Sequence, residues 1–419
     1  MQPEQRSAGQ GDAALAGVRV IDLTRALAGP LCTLILAGLG AEVIKVEDPA
    51  GGDLARGNSP YLGANGLTIA RSGPQDMSLA ILNRARGKLS MTLNLKHQGA
   101  REVFCDLVRH ADVVVENFSS GTADRLGVGH AVARRVNPAI VYCSISGFGA
   151  DQNTGVRAMD TIIQALSGVM MASGNPDDPP VRIGVPIADA LAPVWATVGI
   201  LAALARRERT GEGEYVDVSM LGAVTSLVAT EDWQAMAELG QSLRTGATLP
   251  RLAPFGLYRC ADGWVAIVAP QDRLVASLFG AMGRPELVRD RRFATRDARV
   301  SHDAELTSEI ERWSRARDTK QVVATLTAAG VPVAPVRTPI EAVQDARVVE
   351  RGETLPVNHP ALGPQAHLRT VGVPVRLERS PVRFARPAPR LGEHTAHILR
   401  DLLGYSEQRI ARLQAEGVI

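Results

Sequence analysis

Apolar positions in the first 150 residues fall in short runs separated by turn residues. Val18 to Leu23 is a β-branched strand core, Gly29 and Pro30 punctuate it, and Leu31 to Leu39 is apolar on nearly every side until Gly40 stops it. Pro30 suits a first helical turn, because its missing N–H would have had no partner there. Glu42 to Glu47 predicts a second strand, and the pattern continues through Ser90–Leu95, an amphipathic helix near Gln98–Arg109, Asp112–Glu116 and Ala139–Ile145. Runs that are apolar on both faces and alternate with helices argue for an α/β fold with a parallel sheet covered on both sides.

Turn-rich breaks at Asp151–Gly155 and Ser173–Pro180 flank the segment RAMDTIIQALSGVM. A long helix is predicted from Asp189 to Arg207, then the turn TGEGEY, a strand YVDVSM and another helix. After about Leu227 the pattern changes. Gly256–Ala269 predicts a hairpin around an Asp-Gly turn, followed by helices near Arg273–Met282, Ala304–Arg315 and Thr319–Ala329. From about Pro339 the chain returns through Gly- and Pro-rich strands to a terminal helical segment. The expected division is a disordered lead over 1–15, a large α/β domain over 16–226, a smaller α+β domain with linkers over 227–337, and a return to the large domain over 338–419.

Composition narrows the function classes. The 46 basic residues nearly cancel the 44 acidic ones across 419 residues, and the net charge of +2 supplies no field to hold nucleic acid or an anionic membrane. Four cysteines without a CxxC pair predict a reduced cytoplasmic protein with no zinc site. The start MQPEQRSAGQGDAA lacks the basic and apolar regions of a signal peptide. The apolar run Ala190–Ala205 contains Pro193 and falls short of the roughly 20 residues of a membrane span, so a buried helix is expected.

Candidate chemistry starts at Glu47, an acid ending the second strand, as dinucleotide enzymes use on a ribose hydroxyl. The first turn, TRALAGPLCT, has only Gly29 where a nicotinamide fingerprint needs three glycines, and no GxxxxGK[ST] is present. Glu47 by itself reads as a solvated strand end. The basic cluster NRARGK (Asn83–Lys88), with Lys96 and Arg125, suits phosphate, although a solvated turn is the simpler reading. Asp189 stands just before a long apolar helix, where an aspartate is ordinarily an N-cap. The roles are compatible, since the helix dipole and free N–H groups would keep the carboxylate ionised, as a nucleophile requires. His394 and His397 lack a third ligand, so no metal is expected.

From TRALAGPLCTLILAGLGAEVIKVE through RGKLSMTLNLK, ADVVVENFSSGTADRLG, NPAIVYCSISGFG, GVPIADALAP and ILAALARRERTGEGEYVDVSM to LGEHT, the chain resembles the class III coenzyme A transferases. α-Methylacyl-CoA racemase is a close relative of that group. The likeness runs over roughly residues 16 to 418 in consistent order. It implies an interlocked, ring-like homodimer with a Rossmann-like large domain built from both chain ends and a small domain from the middle. Coenzyme A or acyl-CoA would be substrate, with no tightly bound cofactor, and a carboxylic acid would be the second partner. Carried over by position, the catalytic aspartate falls on Asp189. Coenzyme-contacting positions fall on Arg25, Ala28, Leu93, Lys96, Asn117, Phe118, Arg125, Arg157 and Met220.

The resemblance also carries a mechanism, in which Asp189 attacks the thioester, forms a mixed anhydride and is then converted to an aspartyl-CoA thioester. Three departures bear on the substrate. Leu27 replaces a glutamine, Asp48 stands where an arginine contacts the coenzyme, and a glycine run is missing from GQSLRTGATLPRLAP, which makes oxalate doubtful. The alternatives are a racemase or a non-catalytic acyl-CoA binder. Met159 occupies the position of the racemase's proton-carrying histidine, which disfavours racemisation. Asp160 reads as an active-site neighbour or a helix N-cap.

Overall fold

The computed structural model describes residues 13–152, 155–249 and 251–419; residues 1–12, most of the expected lead, lie outside the described residues. The chain divides into two compact units, one of residues up to Val169, Arg182–Thr230 and Val343–Ile419, the other of Met170–Val181 and Glu231–Ala342.

The larger unit is organised by β1 (Arg19–Asp22), α1 (Ala28–Gly38), β2 (Glu42–Glu47), β3 (Lys88–Thr92), α2 (Ala100–Arg109), β4 (Val113–Glu116) and β5 (Val141–Ser146). These are followed by α3 (Asp160–Leu166), α4 (Ile187–Thr210), β6 (Tyr215–Ser219) and α5 (Met220–Val228). The six strands are all parallel, in the order β3-β2-β1-β4-β5-β6. The chain winds from β1 outward through β2 and β3, then returns to β1's other side with β4. The carboxyl ends of β1 and β4 therefore form a topological switch point, where open α/β sheets leave a crevice for ligands.

Neighbouring residues along each strand serve opposite cores, which is why apolar residues occur on both faces of the strands, interrupted by buried polar residues such as Asp22, Lys45 and Lys88. Val20, Val43 and Val113 pack with Cys32, Leu36 and Ala196. Ile21, Ile44 and Val114 pack on the other face with Phe104, Leu107 and Ile410. The C-terminal segment closes this second core and covers the edge strand. Thr92 N donates to Thr395 Oγ1 at 2.9 Å, and Asn94 N donates to Val418 O at 2.7 Å.

Helix α4 is longer than its sequence pattern predicts. At 24 residues it is long and apolar enough, by length and composition, to cross a membrane. Nor is it buried all round. Small residues such as Ala188, Ala192 and Ala196 face the core, whereas Val194, Trp195 and Val198, on the outer face, are 47%, 48% and 51% exposed. The helical period separates the two sets.

In the second unit, an antiparallel sheet of Thr248–Leu249, Leu252–Arg259, Trp264–Val268 and Val333–Pro335 packs with helices Asp272–Ala281, Asp303–Ser314 and Thr319–Ala328. Buried Arg299 donates to the carbonyls of Ala253 and Phe293 and pairs with Asp272 at 2.7 Å.

Candidate active site

The turn after β1 is held from below by buried charges. The Asp22 carboxylate accepts from Thr24 N at 2.9 Å and Thr33 Oγ1 at 2.7 Å, and pairs with Lys88 at 3.0 Å. Burial alone would raise its pKa, but the Lys88 and Lys45 charges outweigh that and hold it at about 2. Lys45 donates to Thr24 O at 2.9 Å and pairs with Asp53 at 2.8 Å, and Asp53 Oδ1 accepts from Ala26 N at 2.8 Å. Ala26 itself has φ +65°, in the left-handed region that non-glycine residues seldom occupy.

Three residues read as solvated are not. Glu47 is buried, gripped by Arg56 through two N–H groups at 2.7 Å each and by Ser90 Oγ at 2.7 Å. Its carboxylate is thereby occupied, unlike the ribose-binding acid of a dinucleotide enzyme. In the NRARGK turn, Arg86 and Lys88 are buried, because the C-terminal segment lies over it: Gly87 N donates to Arg386 O at 2.9 Å, and the Arg86 guanidinium lies 4.5 Å from the Phe384 ring centre.

At the switch point, the Asn117 side chain ties β1 to β4. It accepts from Arg25 N at 2.8 Å and donates to Arg25 O at 2.9 Å, while the Arg25 guanidinium lies 5.3 Å from the Phe118 ring centre. Arg25, Asn117 and Phe118 are thus brought together. The side chains of Ala28, Leu93 and Met220 are buried in the two cores, leaving backbone as what these positions offer a ligand. Lys96, Arg125 and Arg157 are exposed, and among the described residues no hydrogen bond or ion pair joins them to the Arg25 group; Arg125 donates to Thr122 Oγ1 at 2.7 Å. Leu27 is the N-cap residue of α1 and makes no side-chain cap, and Asp48 accepts from Ala50 N at 2.9 Å. His394 Nδ1 accepts from Ser90 N at 3.3 Å, whereas His397 pairs with Asp401, so the two histidines serve different partners.

Because α4 runs back against the parallel strands before β6, its N-terminus lies at the same carboxyl edge. The N-cap residue there is Pro186, and Asp189 is the third helical residue, not the cap its position suggests. The capping group comes from another helix. Asp160, at the head of α3, accepts from Ala188 N at 2.9 Å and from Asp189 N at 3.5 Å through Oδ1, and from Gln164 Nε2 at 2.7 Å through Oδ2. Fully buried Gln164 also donates to Val185 O at 3.2 Å and accepts from Ile183 N at 2.9 Å, so α3 clamps the segment leading into Asp189. Met159, the N-cap residue of α3, is exposed.

Asp189 is half-buried, and its pKa is pushed up to about 6 by burial and then by the Asp160 charge, with Arg84 opposing. The sequence argument expects the reverse, a carboxylate kept low by free N–H groups. Those N–H groups are taken by Asp160, whose negative charge faces the nucleophile candidate instead. Only the folded chain shows this, since the two aspartates are 29 positions apart.

A parallel sheet with a perturbed carboxylate at its carboxyl edge is the layout of an α/β enzyme. The chain belongs to CoA-transferase family III, which matches residues 15–395. It is 37% identical over 392 residues to the succinyl-CoA:mesaconate CoA-transferase of Haloarcula marismortui, covering 92% of this chain and 96% of that protein. It is 36% identical over 411 residues to the succinyl-CoA–D-citramalate CoA-transferase of Chloroflexus aurantiacus, covering 97% and 98%. The crystal structure of a CaiB/BaiF family protein from Brucella suis matches 94% of this chain and all of that one, with a TM-score of 0.81 at 31% identity. The protein is a family III CoA-transferase.

Proposed function

We propose that this enzyme moves coenzyme A from an acyl-CoA donor to a carboxylic acid with Asp189 as nucleophile. An Asp189 oxygen attacks the thioester carbon, the C–S bond breaks, and the CoA thiolate leaves an aspartyl mixed anhydride. The thiolate then attacks the aspartyl carbonyl and expels the donor acid as a carboxylate, leaving CoA on Asp189. The acceptor carboxylate reverses both steps and departs as a new thioester.

The observation that carries this reading is the state of Asp189. A pKa of about 6 leaves it mostly ionised at neutral pH, and more basic than an ordinary aspartate, which favours attack on a thioester. Half-burial limits water, which would hydrolyse the anhydride. The coenzyme would lie along the carboxyl edge, by Arg25, Asn117 and Phe118, with Lys96, Arg125 and Arg157 available to its phosphates and backbone at Ala28, Leu93 and Met220 lining the path.

The same reading makes the larger unit Rossmann-like and the enzyme a cytoplasmic, interlocked homodimer. Its support is the strand order, four unpaired cysteines, and the apolar outer face of α4, which a second copy would cover. Racemisation is disfavoured because the Met159 thioether cannot carry a proton.

The test adds hydroxylamine to enzyme and succinyl-CoA. Asp189 becomes a hydroxamate in a donor-dependent way and activity is lost, and Asp189→Ala removes both the modification and turnover. An active enzyme with Asp189 unmodified overturns the mechanism.

A further inference from the structure

Gln164, on the second turn of α3, is fully buried, and its partners leave its amide a single orientation. The Asp160 carboxylate one turn back and the Val185 carbonyl can only accept, so they face the nitrogen, at 2.7 and 3.2 Å. The Ile183 N–H can only donate, so it faces the oxygen, at 2.9 Å. A carboxylate of the same shape would set an oxygen against two acceptors, and an aliphatic chain would offer none of the three a bond.

These bonds meet on the path to Asp189. Gly184, Val185 and Pro186 are exposed and non-helical. Among the described residues, the two bonds from Gln164 are the only hydrogen bonds that tie Ile183–Val185 to any element other than α4, which they lead into. The remaining bond fixes Asp160 Oδ2, which turns Oδ1 to the N–H groups of Ala188 and Asp189 at 2.9 and 3.5 Å. One amide therefore sets both the backbone entering α4 and the carboxylate that caps it. With the amide gone, Asp160 is free to rotate away. Its charge then leaves Asp189, and the freed first-turn N–H groups steady the Asp189 anion and make it a weaker nucleophile.

We propose that Gln164 is a positioning residue for acyl transfer, holding Asp160 and the Ile183–Val185 backbone so that Asp189 meets the thioester carbon in one orientation. The inference rests on the Asp189 reading and adds to it the group that aims the nucleophile.

The experiment follows hydroxylamine-trapped modification of Asp189 against succinyl-CoA concentration. Gln164→Met keeps the volume and removes the amide; Gln164→Glu replaces only the amide nitrogen. Each rate is taken as a ratio to wild type in the same buffer, which cancels the titration of hydroxylamine. At about pH 8, Gln164→Met lowers the rate at saturating donor by roughly 10- to 100-fold, the scale of a misplaced reacting group, while the half-saturating concentration stays within about threefold. Its ratio to wild type rises about twofold or more by about pH 5, because a less basic Asp189 keeps its charge further into acid. Gln164→Glu is slow at about pH 8 and recovers by about tenfold on acidification, as its buried carboxyl gains a proton and again donates to Asp160. A ratio that does not change with pH, a loss confined to the half-saturating concentration, or wild-type rates in either variant overturns the inference. So does a fall in Tm without a fall in rate, the mark of a merely structural role. Should Gln164→Met not fold, Gln164→Glu decides: recovery in acid supports the assignment and a flat ratio overturns it. Wild-type Asp189 unmodified by succinyl-CoA would instead overturn the underlying mechanism.

Discussion

Replacing Asp189 by asparagine is expected to make the protein inactive and, above about pH 6, more stable. The group's pKa lies at about 6 in the folded chain against 3.8 for an unperturbed aspartate. Between those values the folded state holds a proton that the unfolded chain releases. Stability therefore falls as pH rises through this window, and the penalty is complete above about pH 6. A shift of this size corresponds to about 3 kcal/mol at most, at 1.36 kcal/mol per unit. Partial solvent contact screens it. Losing a negative charge from the first turn of a helix gives back about 0.3–1 kcal/mol. The net gain for Asp189→Asn is then about 1–2 kcal/mol, or roughly 1–3 °C in Tm for a chain this large. Thermal unfolding of both proteins in matched buffers at about pH 4 and about pH 8 isolates the effect, because other titrations cancel in the difference. Equal Tm at the lower pH and a higher Tm for the variant at the upper one are expected. A variant less stable at about pH 8, or a difference that does not change with pH, refutes the argument that burial and Asp160 strain this carboxylate.

Asp160→Asn keeps an oxygen for Ala188 N but removes the charge beside Asp189. The acid limb of Asp189 modification, centred near pH 6 in the wild type, shifts to lower pH by about half a unit or more, and an unmoved limb would exclude the charge coupling. Lys88→Met strands the Asp22 carboxylate in the core; breaking a buried pair costs about 3–5 kcal/mol, read as a marked fall in Tm, and a variant melting with the wild type would deny that the pair supports the turn.

Much of the sheet was legible because strand burial on both faces writes itself as continuous apolar runs. Glu42–Glu47 was read to the residue, and the first helix was placed within three residues of its observed limits. Ser90–Leu95 was displaced by two residues at its start and three at its end, since the strand starts at Lys88, a charged residue that no hydropathy pattern would put inside a core. The same blindness hid the site's electrostatics. Glu47, Arg86 and Lys88 look like surface residues until Arg56, the C-terminal segment and Asp22 are brought to them from elsewhere in the chain. Asp189 was visible through its position before an apolar helix, but its cap was misread, because the group that fills that role, Asp160, belongs to a different helix.

The way the C-terminal segment completes the large unit bears on how the protein is made. Ile398, Leu399, Ile410, Leu413 and Val418 pack against Phe104, Leu107 and Val114, residues synthesised some 300 positions earlier. While a ribosome is still translating the middle of the chain, that face of the nascent sheet has α2 but not the C-terminal segment over it and leaves apolar surface exposed, whereas the intervening unit carries its own core and has what it needs to fold at once. Biogenesis should accordingly depend on holdase chaperones and on uninterrupted elongation, and premature termination near residue 395 would yield an aggregating product rather than a slightly shortened enzyme.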